Sequence, residues 1–197
     1  MEVVLIGAGG FCQQVIDAFE TRRIKIKGLL DDNRNDDLLG YPILGKTDDY
    51  VITTEKLFCA IGNVATRMRL FENYPDNWVN CIHPAANLSE HAEIGVGNYI
   101  GPGACVMPGA HLGNNNILDP LCVVSHDVTI GNHNHIAAHA CLLGRVTIGD
   151  CNLIGANSTI LPDLFLRNNN ILGAGGVLTR STTNDKTLVG IPARERD

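Results

Sequence analysis

The chain has 197 residues, 15 basic and 21 acidic side chains and a net charge of −6, which leaves room for one large or two small domains and gives no basic cluster of the kind a nucleic-acid surface needs. Hydrophobic residues make up 45% of it, yet no apolar run reaches the roughly 18 residues that mark a membrane-crossing helix, so neither nucleic acid nor membrane is an expected partner. The start, MEVVLIGAGG, lacks the basic segment of a secretory signal, and a cytoplasmic location is the expectation.

Residues 2–6 (EVVLI) predict a buried strand, Gly7, Gly9 and Gly10 a turn, and Cys12 to Phe19 a helix by the spacing of their apolar side chains. A second strand over Ile24 to Leu30 ends in Asp31 and Asp32. A third over Leu57 to Ile61 ends in Gly62 and Asn63, ahead of a helix carrying Arg67 and Arg69. This order predicts a small Rossmann-like parallel sheet. Its chemistry is expected at the carboxyl ends of the strands, where Gly9, Gly10, Asp31, Asp32 and Gly62 converge. Glycines at a helix start let a phosphate approach backbone N–H groups, and an acidic pair further on can accept bonds from a ribose or base. The dinucleotide fingerprint is incomplete, because Cys12 stands where its third glycine would be. The stretch from Asp36 to Glu55 shows little pattern and is read as a loose wrap. The boundary between two domains, 1–75 and 76–197, is placed near residue 76.

From Ile82 to Leu178 every sixth residue is aliphatic without a break. Neither a helix nor a simple strand alternation has this period, and a solenoid does. Asn98, Asn116, Asn134, Asn152 and Asn170 recur at eighteen, as do Gly95, Gly113, Gly131 and Gly149, so three hexapeptides make one coil. The expected shape is a triangular prism of five to six coils stacked at roughly 4.8 Å, about 25 Å tall. The aliphatics point inward, small residues or Asn two positions earlier form the corners, and stacked amides bond coil to coil. Seven cysteines (Cys12, Cys59, Cys81, Cys105, Cys122, Cys141, Cys151) form no CxxC pair and fit reduced, packed thiols. Cys105 and Cys141, two coils apart, are expected on one interior edge.

Five of the seven histidines, His111, His126, His133, His135 and His139, lie in the middle of the repeat. In the run Val124-Ser125-His126-Asp127, Val124 is the inward position and His126 is free to face a ligand. The adjacent carboxylate can orient the imidazole and raise its basicity. His126 and His135 are half a coil apart, so a site using both requires two subunits. Because His133 and His135 alternate along a strand, only one of them readily faces a shared metal; no metal is expected, and His133 and His139 are read as solvated surface residues. His83, before Pro84, is read as structural.

The unbroken hexapeptides, the SHD run followed by IGNHNHIA, and the tail ILGAGGVLTR…LVGIPAR resemble the hexapeptide acyltransferases, whose fold is a left-handed parallel β-helix. With the glycine-turn domain in front, the chain is similar to the nucleotide-sugar N-acetyltransferases of the bacillosamine, viosamine and perosamine type, related to the sialic acid O-acetyltransferases. The resemblance implies His126 as general base supported by Asp127. It implies acetyl-CoA as cosubstrate, met by His135, by the Gly144 N–H at the thioester carbonyl, and by Ala156 and Ala174 along the pantetheine. It implies a nucleotide held by Gly9, Gly10, Phe11, Asp31, Asp32 and Gly62; some members have His where this chain has Phe11. The expected reaction is N-acetylation of a UDP-, dTDP- or GDP-linked 4-amino-4,6-dideoxy sugar by direct attack on the thioester, in a homotrimer. The alternatives are O-acetylation of a sialic-acid-type sugar, a zinc-dependent β-helix lyase of the gamma carbonic anhydrase type, and a β-helix that only binds nucleotide sugars.

Overall fold

The computed structural model describes residues 2–74 and 76–196. The chain divides into two compact units, residues 1–84 and 85–197.

The first unit is built on a four-stranded parallel sheet of β1 (Glu2–Ile6), β2 (Lys25–Leu30), β3 (Ile43–Gly45) and β4 (Lys56–Cys59), in the order β3-β2-β1-β4. The central strand β1 is apolar on both faces, and Val3, Val4, Leu5 and Ile6 have no exposed surface, as expected for a covered parallel strand. Helix α1 (Gly10–Thr21) follows the glycine turn and buries Cys12, Val15, Ile16, Ala18 and Phe19. Helix α2 (Val64–Asn73) is capped by the Asn63 side chain, which accepts from the Thr66 N–H at 3.0 Å. The stretch read as a loose wrap contains β3. Gly28 of β2 admits this strand, because a Cβ there would stand 2.6 Å from the Leu44 side chain. The boundary falls later than 76. Trp78 stacks on Phe71 at 5.2 Å, and the Val79 N–H bonds the Leu57 carbonyl, which ties this segment to the first unit.

The second unit is a parallel β-helix of two-residue strands in three sheets. One runs from Glu93–Ile94 to Phe165–Leu166, one from Asn87–Leu88 to Val177–Leu178, and the third carries His135–Ile136 between Ile117–Leu118 and Leu153–Ile154. Each strand pairs with the strand eighteen residues away, so that Ile117, His135 and Leu153 are in register. The second residue of each strand points inward, and from Ile100 to Leu178 these aliphatics are at most 4% exposed. Leu88 and Ile94, at the start of the column, are half-buried.

Two side-chain ladders run along the column in opposite senses. In the buried one each N–H bonds the amide oxygen one coil earlier: Asn116 to Asn98, Asn134 to Asn116, Asn152 to Asn134 and Asn170 to Asn152, all at 2.8 Å. In the outer one the N–H groups of Val96, Asn114, Asn132 and Asp150 bond the side-chain oxygen one coil later, on Asn114, Asn132, Asp150 and Asn168. The outer ladder explains the glycine column. A Cβ at Gly113 would meet the Asn132 Oδ1 at 2.8 Å, and Gly95, Gly131 and Gly149 are crowded in the same way by Asn114, Asp150 and Asn168.

The expected corners are off by one residue. The small residues two before each aliphatic, such as Ala104 and Ala110, point into the core. The backbone turns at the residue before them, which is left-handed in every hexapeptide from Gly97 to Gly175, including Leu121, Asp127, His133, His139, Arg145 and Cys151 with φ between 59° and 63°. The cysteine expectation is corrected too. Cys105 and Cys141 are in register, both beside Val123, but they occupy the outward first position of their strands and are half-exposed. Among the cysteines of this unit the buried thiol is that of Cys122, and burial, together with the charge of Asp119, pushes it up to about 12.

Candidate active site

In the first unit the carboxyl ends of β1, β2 and β4 open into a cleft of about 370 Å³ lined by Gly9, Gly10, Phe11, Asp31, Asp32 and Gly62 among others. All six residues expected to meet the nucleotide thus share one cavity. Helix α1 begins there with no side-chain cap, so its dipole and first N–H groups face the opening. The acidic pair holds the cleft's own backbone. Asp31 accepts from the Ala8 N–H at 2.7 Å through one oxygen and from the Asn33 and Arg34 N–H groups through the other, while Asp32 accepts from the Thr47 N–H at 3.0 Å. Arg67, fully buried, donates to the carbonyls of Ile61 and Gly62 and fixes the third side of the cleft. Arg69 and Thr66, one turn into α2, also line it.

In the second unit, the Nδ1 of His126 lies 2.8 Å from Asp127 Oδ2. A carboxylate can only accept, so Nδ1 carries the proton and Nε2 keeps its lone pair. Both side chains are more than half exposed. The ring lies over Gly144 in the next coil, and a Cβ there would stand 2.6 Å from both Cε1 and Nε2 of His126. The Gly144 carbonyl accepts from the Asp163 N–H, whereas its own N–H takes no partner among the described residues. A base nitrogen therefore lies against a residue of the next coil whose N–H is unused. Beside them, Arg145 makes a bidentate pair with Asp163 at 2.6 and 2.8 Å, and its guanidinium holds the Asp163 carboxyl below the usual carboxylate range.

His126 follows the strand Val123–Val124, and His135 opens a strand of a different sheet. The half-coil separation thus places them on different faces of one column. His135 Nε2 lies 2.8 Å from Asp119 Oδ2. Ala156 and Ala174 follow the inward residues Ile154 and Leu172 at equivalent corners, one coil apart. His133 meets the Asn115 amide at 2.8 Å and His111 meets Glu93 at 3.0 Å, while His139 is exposed. Among the described residues, no three or more His, Cys, Asp and Glu side chains are grouped so as to hold a metal ion.

Residues 2–74 match the PglD N-terminal domain, and residues 109–144 match the bacterial transferase hexapeptide repeats. The acetyltransferase domain of PglB from Neisseria gonorrhoeae, solved in complex with acetyl coenzyme A, superposes with a TM-score of 0.94 at 27% identity over 99% of this chain and 98% of that one. PerB from Caulobacter crescentus, in complex with CoA and GDP-perosamine, does so with a TM-score of 0.93 at 27% identity over 100% and 98%. The chain is an acyltransferase in which hexapeptide repeats follow a PglD-type N-terminal domain. Its β-helix is of the left-handed type shared by these enzymes. WeeI from Acinetobacter baumannii, 24% identical with a TM-score of 0.90, shares the fold. An uncharacterized protein of Acanthamoeba polyphaga mimivirus is 38% identical over 102 residues, and the match spans half of the acyltransferase but only 21% of that relative.

Two features, one in each unit, lie outside the sequence expectation. Asp119 supports His135 from sixteen residues away. Its signal was present in the coil arithmetic: Ile117 is in register with His135, and residue 119 is the next one on that outer face. Thr47, Thr66 and Arg69 line the cleft of the first unit without any motif to announce them, because a loop and a helix bring them there.

Proposed function

We propose that the protein transfers the acetyl group of acetyl-CoA to the amino group of a nucleotide-linked 4-amino-4,6-dideoxy sugar, acting as a cytoplasmic homotrimer. Nucleotide binding is assigned to the first unit and transfer chemistry to the second. The observation that carries the reading is His126, its Nε2 freed as a base by Asp127 at Nδ1, lying against Gly144, whose N–H is unused. Acetyl-CoA as cosubstrate and a sugar nucleotide as acceptor are supported by the matched structures, which hold CoA with GDP-perosamine or acetyl coenzyme A. Three chains are supported by His126 and His135 facing away on different sheets, so that one site drawing on both takes them from neighbouring copies.

In this mechanism the neutral amine attacks the thioester carbonyl carbon while His126 Nε2 accepts its proton. The carbonyl oxygen becomes an oxyanion and receives the Gly144 N–H. Collapse breaks the carbon–sulfur bond, and the imidazolium returns the proton to the departing thiolate. Asp127 holds the ring in the Nδ1–H tautomer and stabilises its charged form. A general base of this kind contributes about 10² to 10⁴ in rate, and one oriented oxyanion donor about 10² to 10³. At the nucleotide, the start of α1 and the Arg69 guanidinium face the diphosphate, and Asp31 and Asp32 keep the surrounding turns in place. Coenzyme A release measured against UDP-, dTDP- and GDP-linked amino sugars tests the assignment. Release that depends on one of these is expected. No release with any of them, or release only with a sialic-acid-type hydroxyl acceptor, contradicts it.

A further inference from the structure

Among the described residues of the second unit, His135 and Asp119 form the best-shielded of three imidazole–carboxylate pairs, with side chains 25% and 21% exposed against 51% and 61% for His126 and Asp127 and 52% and 80% for His111 and Glu93. The His126 and His135 pairs also use opposite nitrogens. His126 gives Nδ1 to its carboxylate and keeps Nε2, whereas His135 gives Nε2 and keeps Nδ1. An ionised carboxylate offers only lone pairs, so the His135 nitrogen facing Asp119 bears the proton. In the neutral ring Nδ1 is then an acceptor, and among the described residues it has no partner. The Asp119, Leu121 and Ala137 N–H groups of the same coil all bond carbonyls. The His135 pair therefore presents an oriented acceptor.

We propose that Asp119 is a positioning residue for the cosubstrate, holding His135 so that Nδ1 accepts a hydrogen bond from an amide N–H of the pantetheine arm. This rests on the acetyl-CoA reading above. Pantetheine carries two secondary amides, and each N–H taken out of water must find an acceptor or cost binding free energy. A freely rotating imidazole presents that acceptor only part of the time. Asp119 fixes the ring's tautomer and direction, as carboxylates do for functional histidines elsewhere.

The test is coenzyme A binding by titration calorimetry, alongside steady-state kinetics, for the parent, Asp119→Asn, Asp119→Leu, His135→Ala and the Asp119→Leu/His135→Ala double variant, each checked for folding by circular dichroism. Asn can still accept from Nε2–H and should bind coenzyme A within about twofold of the parent. Leu cannot, and should weaken binding roughly tenfold, the size of one lost hydrogen bond. In Asp119→Leu, turnover at saturating acetyl-CoA should stay within about threefold, and the leucine should add nothing once His135 is alanine. Unchanged coenzyme A binding in Asp119→Leu overturns the proposal. So does a fall in turnover with binding intact, which would put His135 in proton transfer. A parent that binds no coenzyme A at all sinks the acetyl-CoA reading itself, which separates the two failures.

Discussion

Replacing Gly144 with alanine keeps the backbone N–H that the mechanism assigns to the oxyanion and changes only the space beneath His126. The new Cβ would stand 2.6 Å from both Cε1 and Nε2, whereas carbon contacts settle at about 3.5 to 4.0 Å. The imidazole must therefore withdraw by about 1 Å, a displacement that costs on the order of 10²-fold in rate when it moves a reacting group. Gly144→Ala is expected to lose about 10²-fold in turnover, measured by coenzyme A release at saturating substrates, with an unchanged melting temperature. The double variant with His126→Ala sharpens the point, because an alanine under a ring that is no longer there should change the residual rate by less than about threefold. Turnover of Gly144→Ala within threefold of the parent, or an equal loss with and without the His126 ring, would refute the reasoning.

Other consequences follow from the column and from the α/β unit. Asn134→Ala removes the oxygen that receives the Asn152 N–H and Nδ2 and the amide that donates to Asn116 and to the Gly149 carbonyl. Leaving these buried groups unpaired should destabilise the protein by roughly 3–5 kcal/mol, read by urea unfolding; a loss below about 1 kcal/mol would mean the ladder is not a stabilising element. Leu121 turns its corner at φ 63°, a conformation costing a side chain roughly 1–2 kcal/mol. Leu121→Gly should raise the melting temperature by about 2–4 °C, after the roughly 0.5–1 kcal/mol entropic cost of glycine, and a lower melting temperature would contradict this. The thiols of Cys12, Cys59, Cys81 and Cys122 are buried, and burial pushes those of Cys12 and Cys59 up to about 12 and about 11. These four should resist a thiol-directed reagent until the protein unfolds. Glu55 is held well below the usual carboxylate range by Lys27 and by the Thr53 N–H and hydroxyl. A lowered folded-state value means a stabilising contribution that is full above about pH 4.3 and is lost as pH falls further. Glu55→Gln should accordingly flatten the acid limb of the stability curve, and an unchanged limb would exclude Glu55 as its source.

The period of six was enough to derive three sheets, inward aliphatics and in-register coils, because the interior of a β-helix repeats one physical demand at fixed spacing. The corner geometry was hidden for the opposite reason. Leucine, arginine and cysteine have no left-handed preference, and Leu121, Arg145 and Cys151 adopt it only because the coils above and below impose it. Cys105 and Cys141 show how register and side are separate questions: their spacing gave the first correctly, but only the strand phase relative to Val106 and Leu142 settles the second. In the first unit the glycine turn and the strand-end acids marked the cleft. The loop bearing Thr47 and the α2 residues Thr66 and Arg69 carried no signal, since tertiary packing alone brings them to it. In the second unit His126 and Asp127 are neighbours in the chain and stood out, whereas Asp119 reaches His135 across a coil and shows in the sequence only through the eighteen-residue register that sets Ile117 beside His135.

The most direct test of His126 as the base is single-turnover acetyl transfer by His126→Ala, with its active sugar nucleotide and acetyl-CoA both saturating and sugar-nucleotide binding measured on the same preparation. A rate lower by about 10² to 10⁴, with binding essentially unchanged, is the expected result. Transfer at a near-normal rate would show that another group takes the proton and would contradict the assignment.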